Sequence, residues 1–248
     1  MNVSNYQTWR VPSEKSWKLC DDILEQTHVL IGGATGAGKS TLLHSVIYSA
    51  LAHAPVKIQF VLIDLKGGDE LYRYSKLPHT IAYAEEPEQA VRALDYVIRV
   101  MNERHAILRR KNERRWQGSE IYVIIDEITV LMQEAKNPCL DQLSKIMRLG
   151  RSAGVHIICA TQNPARTGSG GIPASIQQNV TSSLSLRVRS AIESRMIVGV
   201  NGAEKLPEHG RGIYWNQHGV SEVSVPKTED DDIDGRIKFW LRQKPIRR

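Results

Sequence analysis

The sequence is poor in the features that mark secreted, disulfide-stapled or membrane-spanning proteins. Only three of its 248 residues are cysteines, and they form neither a Cys-x-x-Cys pair nor a Cys/His metal spacing. We therefore expect a reducing compartment and no structural zinc site. No apolar run approaches the roughly 18 residues of a transmembrane helix, and the first residues lack the apolar centre of a signal peptide. We expect a cytoplasmic protein, or one that docks on other chains at the inner face of the membrane.

A strong excess of one charge is also missing. Lys and Arg number 33 against 27 Asp and Glu, which gives a net charge of +6. This balance permits a polyanionic partner without requiring one. The basic residues cluster at 109–111 with Arg114 and Arg115, a pattern that fits either a solvated helix face or a subunit contact. The length suits one large α/β domain or two small ones.

The most informative stretch is HVLIGGATGAGKST at residues 28–41. Its loop fits the pattern G-x-x-x-x-G-K-[ST], with an apolar strand before it and a helical stretch after it. Such a loop directs backbone N–H groups at a helix N-terminus toward nucleotide phosphates. Lys39 is predicted to reach the β- and γ-phosphates, and the Ser40 hydroxyl to hold Mg²⁺. The predicted ATP-binding residues are Gly33, Ala34, Thr35, Gly36, Ala37, Gly38, Lys39, Ser40 and Thr41.

Two acidic residues close the apolar strand predicted at residues 121–126. Asp126 is predicted to hold Mg²⁺, directly or through water, and Glu127 to orient or deprotonate the attacking water. Another apolar strand, residues 57–64, intervenes in the sequence between the P-loop and this pair. We interpret this as the pattern of P-loop ATPases with an additional strand, as opposed to small kinases or Ras-like GTPases. No N-K-x-D guanine motif is present either.

Polar residues around a third apolar strand, residues 155–160, are further candidates for the reaction. Gln162 follows this strand and is predicted to sense the γ-phosphate or to position the water; the alternative is a polar strand-end cap. Arg151 precedes the strand, far from its own P-loop. We predict that it enters a neighbouring subunit's site as an arginine finger, the alternative being a charge that offsets the helix dipole. Arg148 is the competing candidate.

The alternation of strands and helices predicts a mostly parallel central sheet with helices on both faces. In such sheets ligands bind at the carboxyl ends of the strands. We divide the chain into an N-terminal arm or strand pair packed on the motor (residues 1–27), a motor domain ending in a β-hairpin (28–226) and a charged C-terminal tail (227–248). In the tail an acidic run at residues 229–232 precedes a short basic helix.

Five stretches together resemble the FtsK/SpoIIIE family of DNA-pumping motors, the FtsK–HerA ATPases. They are HVLIGGATGAGKST, FVLIDLKGGDEL followed by LPH, VIIDE, GRSAGVHIICATQNP and IPASIQQNVTSSLSLRVRSAIESRMIVGVNGAEKL. The resemblance covers about residues 24–226, and residues 151–162 are its most specific part, because generic P-loop ATPases do not share them. It implies a RecA-like P-loop fold of the ASCE type. It also implies Walker roles for Lys39, Ser40, Asp126 and Glu127, a sensor role for Gln162 and a finger role for Arg151.

The function implied by the resemblance is ATP-driven translocation of double-stranded DNA through a hexameric ring, in conjugative transfer or in chromosome or plasmid segregation. The pore would contact phosphates and not bases, so binding would tolerate any sequence and weaken with salt. The glycine-containing loop at residues 166–171 is our candidate pore loop, with Arg166 supplying charge beside Thr167 and Ser169. The alternative is a plain flexible loop.

Two departures from the family keep other functions open. The septal members carry membrane spans and a winged helix, neither of which fits this sequence, so we expect a bare motor domain served by separate partner chains, membrane-anchored ones among them. The Lys66-Gly67-Gly68 turn is similar to the ATPase domains of type VII secretion, so protein export is the alternative cargo. A nucleotide-gated assembly module with little turnover is the second alternative, and Glu127 argues against it.

Overall fold

Short buried strands alternate with longer helices in the computed structural model, which describes residues 14–53, 56–164 and 172–243. The predicted pore-loop residues Arg166, Thr167 and Ser169 lie outside the described residues. The strands are β1 (His28–Gly32), β2 (Ile58–Ile63), β3 (Thr80–Ala84), β4 (Glu120–Ile125), β5 (Val155–Thr161), β6 (Ser182–Ser185), β7 (Arg211–Asn216) and β8 (Gly219–Ser224). The helices are α1 (Glu14–Glu25), α2 (Lys39–His53), α3 (Pro87–Lys111), α4 (Ile128–Glu134), α5 (Lys136–Ala153), α6 (Ala174–Gln177), α7 (Ala191–Val198) and α8 (Asp230–Leu241).

All eight strands join one sheet in the order β3-β2-β4-β5-β1-β6-β7-β8. The six strands from β3 to β6 are parallel, and β7 and β8 add an antiparallel hairpin. The parallel strands require crossover connections, and helices supply most of them. The predicted mostly parallel sheet with a C-terminal hairpin is therefore confirmed.

The strand order corrects one step of the sequence argument. We assigned the additional strand of this ATPase class to residues 57–64, which become β2. In the sheet β2 lies on the far side of β4, and the strand between β1 and β4 is β5. Sequence order does not determine neighbours in a parallel sheet, because a crossover can skip a position. The consequence is that the end of β5 lies between the P-loop and the acidic pair.

The sheet is buried on both faces, as its apolar strands require. Along β4 the side chains of Tyr122 and Ile124 join a core with α1, α2 and α8, whereas Ile121, Val123 and Ile125 join a core with α3, α4 and α5. This alternation follows from the two-residue period of a strand. The two helical layers cover both faces of the sheet, so that the loops lie at the two ends of the strands. We call these ends the carboxyl edge and the amino edge of the sheet.

The N-terminal segment differs from the strand pair that we considered. Residues 14–25 form α1, and Trp17, Cys20 and Ile23 are buried on one side of it. Trp17 packs on Tyr48 of α2 with ring centroids 5.4 Å apart. The strand-pair prediction is wrong for these residues, because a spacing of three between apolar residues indicates a helix.

The C-terminal segment also packs against the rest of the domain. The acidic run begins α8, where negative charge is favourable beside the positive end of the helix dipole. Ile233, Ile237 and Trp240 are buried in the same core as α2. The predicted C-terminal helix is present, but it begins earlier than expected, since Asp230, Asp231 and Asp232 form its first turn. Within the residues that the structure describes, none of the helices combines the length and apolarity needed to cross a bilayer.

Candidate nucleotide-binding and catalytic site

The loop between β1 and α2 lies at the carboxyl edge of the sheet, between the ends of β5 and β6. The Gly33 N–H donates to the Thr161 carbonyl at 3.2 Å, and the Ala34 N–H donates to the Arg187 carbonyl at 2.8 Å. The loop is thus anchored to both neighbouring strands by its own backbone. An anchored loop can present its remaining N–H groups to an anion without first becoming ordered.

Two glycines give this loop its path. Gly36 and Gly38 have φ values of +78° and +92°, in a region where a side chain is strained and glycine is not. Lys39 follows as the first residue of α2, and Ser40 comes directly after it. The helix N-terminus, with its unpaired N–H groups, therefore opens onto the site.

The Lys39 side chain is folded back onto the loop. Its Nζ donates to the carbonyls of Gly33 at 2.7 Å and Ala34 at 3.0 Å, and only 6% of the residue is exposed. Burial lowers the pKa of Lys39 to about 8, against the opposing effect of Glu127. Phosphate oxygens are stronger acceptors for an ammonium than carbonyls, so a nucleotide in this loop can draw Nζ away from them.

The predicted acidic pair lies at the end of β4, and β5 separates β4 from the P-loop strand β1. Asp126 and Glu127 are 4% and 5% exposed. Burial raises the pKa of Asp126 to about 6, and the Lys66 ammonium opposes that rise. A buried carboxylate with a raised pKa gains stability from a nearby cation.

Three donors hold the Glu127 carboxylate. Its Oε2 accepts from the Gln162 backbone N–H at 2.9 Å and from Lys66 Nζ at 3.1 Å, and its Oε1 accepts from the Thr129 hydroxyl at 2.7 Å. Gln162 in turn accepts from the Thr35 hydroxyl through Oε1 at 3.0 Å. Gln162 therefore links the P-loop to Glu127, and the structure brings these predicted residues into one network.

The residues at this edge fit Mg²⁺. Ser40 and Asp126 offer a hydroxyl and a carboxylate oxygen, the ligand types that Mg²⁺ prefers. In nucleotide sites the ion takes one or two protein oxygens and completes its shell with phosphates and water, so these two residues are a sufficient protein contribution. The buried Asp126 has its nearest cation, Lys66 Nζ, at 3.9 Å, which leaves its carboxylate able to bind an ion directly.

A cleft continues from the phosphate loop toward α8. Ser40, Thr41 and His44 line one side of it, and residues 227–230 line the other. The His44 ring is fixed by a 2.8 Å hydrogen bond between its Nδ1 and the Tyr74 hydroxyl. The cleft therefore opens directly beside Ser40 and Thr41, two of the predicted ATP-binding residues.

The predicted finger, Arg151, lies at the opposite edge of the sheet. It occupies the last turn of α5, and the seven residues of β5 separate it from Gln162, a rise of about 20 Å. Four arginines share one shallow pocket there: Arg114, Arg115, Arg148 and Arg151. None of them forms an ion pair with the described part of the chain. Arg151 is therefore kept out of its own nucleotide site by the length of a strand.

Two residues of the site were missed by the sequence reading. Lys66 was noted only for its glycine-rich turn, and Thr129 was not noted. A lysine two residues beyond a buried strand-end aspartate, Asp64, was the available signal for Lys66. No comparable signal exists for Thr129, because a threonine in a helix is common and its partner is defined by side-chain direction.

The sequence is related to DNA translocases. Residues 14–120 match the sequence model of the FtsK/SpoIIIE family. The DNA translocase FtsK of Lactiplantibacillus plantarum is 31% identical over 246 residues, which cover 90% of this chain and 30% of that protein. The DNA translocase FtsK of Clostridium acetobutylicum is 33% identical over 209 residues, 78% of this chain and 27% of that protein. The chain thus spans less than a third of the length of these relatives.

Solved structures share the fold. The cytoplasmic domain of the type VII secretion ATPase EccC from Thermomonospora curvata is 27% identical with a TM-score of 0.76, over 89% of this chain and 28% of that chain. The pCW3 conjugation coupling protein TcpA with ATPγS is 22% identical with a TM-score of 0.75, over 88% of this chain and 66% of that chain. With its P-loop, its acidic pair and its RecA-like sheet, the chain is an ATPase domain similar to those of the FtsK/SpoIIIE family, whose sequence model matches residues 14–120.

Proposed function

We propose that the domain hydrolyses ATP with Mg²⁺ and uses the energy to translocate double-stranded DNA through a homo-oligomeric, hexameric ring. The observation that carries the hydrolytic part is the buried Glu127 carboxylate, which is bonded to the Gln162 N–H at 2.9 Å while the Gln162 side chain contacts the P-loop. The relatives from Lactiplantibacillus plantarum and Clostridium acetobutylicum are DNA translocases, which supports DNA as the cargo.

In this proposal each residue at the carboxyl edge has one task. The N-terminus of α2 and Lys39 bind the β- and γ-phosphates, and Ser40 and Asp126 hold Mg²⁺, which neutralises phosphate charge when bound. Glu127 accepts the proton of the attacking water. Gln162 orients that water and connects it to Thr35 in the loop.

We further propose that a neighbouring subunit completes the site. The support is the separation of Arg151 from its own P-loop by the seven residues of β5, together with its exposure and lack of an ion pair among the described residues. An arginine finger in trans stabilises the charge of the transferring phosphoryl group. Arg148 shares the same pocket and is the competing finger.

We propose that Arg166, Thr167 and Ser169 are the residues that contact DNA, and they follow Gln162 closely in the sequence. That proximity would couple the state of the nucleotide to the position of the loop. We place the motor in the cytoplasm, with recruitment to the inner face of the membrane by anchored partner chains.

The test is ATP turnover with and without double-stranded DNA over a series of salt concentrations. We expect turnover to rise with DNA of any sequence at low salt, and the stimulation to fade as salt increases, because phosphate contacts release counterions. Single-stranded DNA of equal charge is the matched control. Turnover that ignores duplex DNA at every salt concentration would contradict the DNA proposal.

Protein export is a second candidate, favoured by the 27% identity with the type VII secretion ATPase EccC. Its expected result is the converse: duplex DNA leaves turnover unchanged, and an exported substrate protein raises it. Hydrolysis itself would be common to both candidates. Negligible turnover under all these conditions would favour an assembly module that only binds nucleotide.

A further inference from the structure

The turn that follows β2 is held by a buried carboxylate. Asp64 is fully buried, and its side chain accepts from the backbone N–H groups of Lys66 at 3.3 Å, Glu70 at 3.0 Å and Leu71 at 2.9 Å. Three hydrogen bonds to one carboxylate fix the backbone of residues 64–71 against the end of the sheet. The position from which the Lys66 side chain starts is therefore defined by the fold.

From this turn the Lys66 side chain reaches the acidic pair. β2 and β4 are parallel neighbours in which Ile63 pairs with Ile125, so the residues after the two strands meet at the same edge. Lys66 Nζ lies 3.1 Å from Glu127 Oε2 and 3.9 Å from Asp126 Oδ2. The Glu127 side chain is 4% exposed, against 32% for Lys66, so the ammonium covers the carboxylate on its open side.

Lys66 differs in kind from the other groups that hold Glu127. The Gln162 N–H and the Thr129 hydroxyl are neutral donors, and Lys66 is the charged one among the partners that the described residues provide. A charged donor makes a hydrogen bond roughly twice as strong as a neutral one. Orientation of the carboxylate at this edge therefore depends most on Lys66.

We propose that Lys66 is a positioning residue for ATP hydrolysis, which holds the Glu127 carboxylate in the orientation that accepts the proton of the attacking water. The inference rests on the proposed role of Glu127. It assigns to Lys66 an action through Glu127 and no contact with the nucleotide. The stable turn at Asp64 is what allows a long side chain to serve this purpose.

The experiment combines turnover with nucleotide affinity. Lys66→Met removes the charge at similar length, and Lys66→Arg restores it. The matched control is Lys57→Met, a change at an exposed lysine just before the start of β2. We expect Lys66→Met to lower kcat by about tenfold or more, with the Kd for a fluorescent ATP analogue changed by less than about twofold. Lys66→Arg should recover most of kcat, and Lys57→Met should behave as wild type.

A double-mutant cycle with Glu127→Gln separates the alternatives. If Lys66 acts through Glu127, Lys66→Met adds little to the loss in single-turnover rate already caused by Glu127→Gln. An equal loss in both backgrounds, a rise in Kd that accounts for the effect, or a wild-type kcat in Lys66→Met would each overturn the inference. Lys66→Gln provides a second neutral variant, with thermal unfolding as the check on folding.

These outcomes are distinct from failure of the proposed function. If Glu127→Gln alone hydrolyses ATP at the wild-type rate, the role of Glu127 is wrong and the premise of the inference fails with it. If Glu127→Gln is inactive while Lys66→Met is fully active, the proposed function stands and only the role of Lys66 is wrong.

Discussion

The two edges of the central sheet differ in how their charged groups are satisfied. At the carboxyl edge Lys39 is bonded to two carbonyls of its own loop, and Glu127 is bonded to Lys66. At the amino edge Arg148 and Arg151 lie in a pocket with two further arginines, and no carboxylate of the described residues pairs with them. The charged groups of the first edge are thus paired within one chain, whereas the arginines of the second have no carboxylate partner among the described residues.

Unpaired charge of one sign has a physical cost that a partner can remove. Neighbouring arginines repel each other, and a phosphate or carboxylate of another molecule would relieve that repulsion. The carboxyl edge of a neighbouring copy, loaded with a triphosphate, offers such a charge. In the proposed ring, the two edges would be complementary halves of a subunit interface.

The strongest test of this comparison is removal of the predicted finger. Arg151→Ala should lower ATP turnover in the assembled protein by about 10³- to 10⁵-fold, the usual contribution of an arginine finger, while nucleotide affinity changes little. Arg148→Ala in the same pocket is the matched control and should retain most of the activity. Mixed assemblies of Arg151→Ala and Lys39→Ala subunits should recover part of the turnover. The active sites would be those in which Lys39 of an Arg151→Ala subunit meets Arg151 of a Lys39→Ala subunit. If Arg151→Ala is active and Arg148→Ala is not, the finger is Arg148.

A second test acts on the carboxyl edge. Glu127→Gln should lower turnover by about 10²- to 10⁴-fold, the usual contribution of a general base, and leave ATP binding measurable by a fluorescent analogue. Glu88→Gln, an exposed carboxylate in the first turn of α3, is the control and should be unaffected. In mixed assemblies, every site whose P-loop belongs to a Glu127→Gln subunit should be inactive, whichever neighbour supplies the arginine finger. A wild-type rate for Glu127→Gln would exclude it as the base.

The smallest effect concerns stability at the amino edge, where His28 begins β1. Its Nε2 contacts the Met147 carbonyl at 2.8 Å, and its Nδ1 accepts from the Ile157 N–H at 3.2 Å, which requires a neutral ring. Burial lowers the pKa of His28 from 6.5 to about 4. Between these two pH values the unfolded chain binds a proton at His28 that the folded chain does not. The free energy of unfolding is therefore highest above pH 6.5 and decreases as the pH falls toward 4.

The difference between the two pKa values corresponds to a decrease of roughly 3 kcal/mol in the free energy of unfolding. The measurement is urea unfolding of the wild type and of His28→Gln between pH 7 and pH 4.5. We expect the stability advantage of the wild type to shrink as the pH falls, because glutamine does not titrate. Two curves that stay parallel over this range would show that His28 is not the titrating group.

Local signals predicted much of this site. The P-loop was recognised because its glycines, Lys39 and Ser40 are contiguous, and the chemistry of phosphate binding requires them to be so. Asp126 and Gln162 were found because both follow buried strands, whose carboxyl ends share an edge. The helix at 14–25 was missed, since its few apolar residues, Trp17 among them, stand in a polar segment where the pattern is weak.

What the sequence by itself determined is therefore the nucleotide loop, the acidic pair, the alternation of strands and helices and the family resemblance, all of which depend on neighbours in the chain. The tertiary structure alone decided that β5 lies between β1 and β4, that Lys66 reaches Glu127, and that Arg151 lies a strand's length from its own P-loop. The physical reason is that a crossover connection in a parallel sheet can place the next strand at any of several positions in the strand order. Contacts between residues far apart in the chain, such as that of Lys66 with Glu127, follow only from the position chosen.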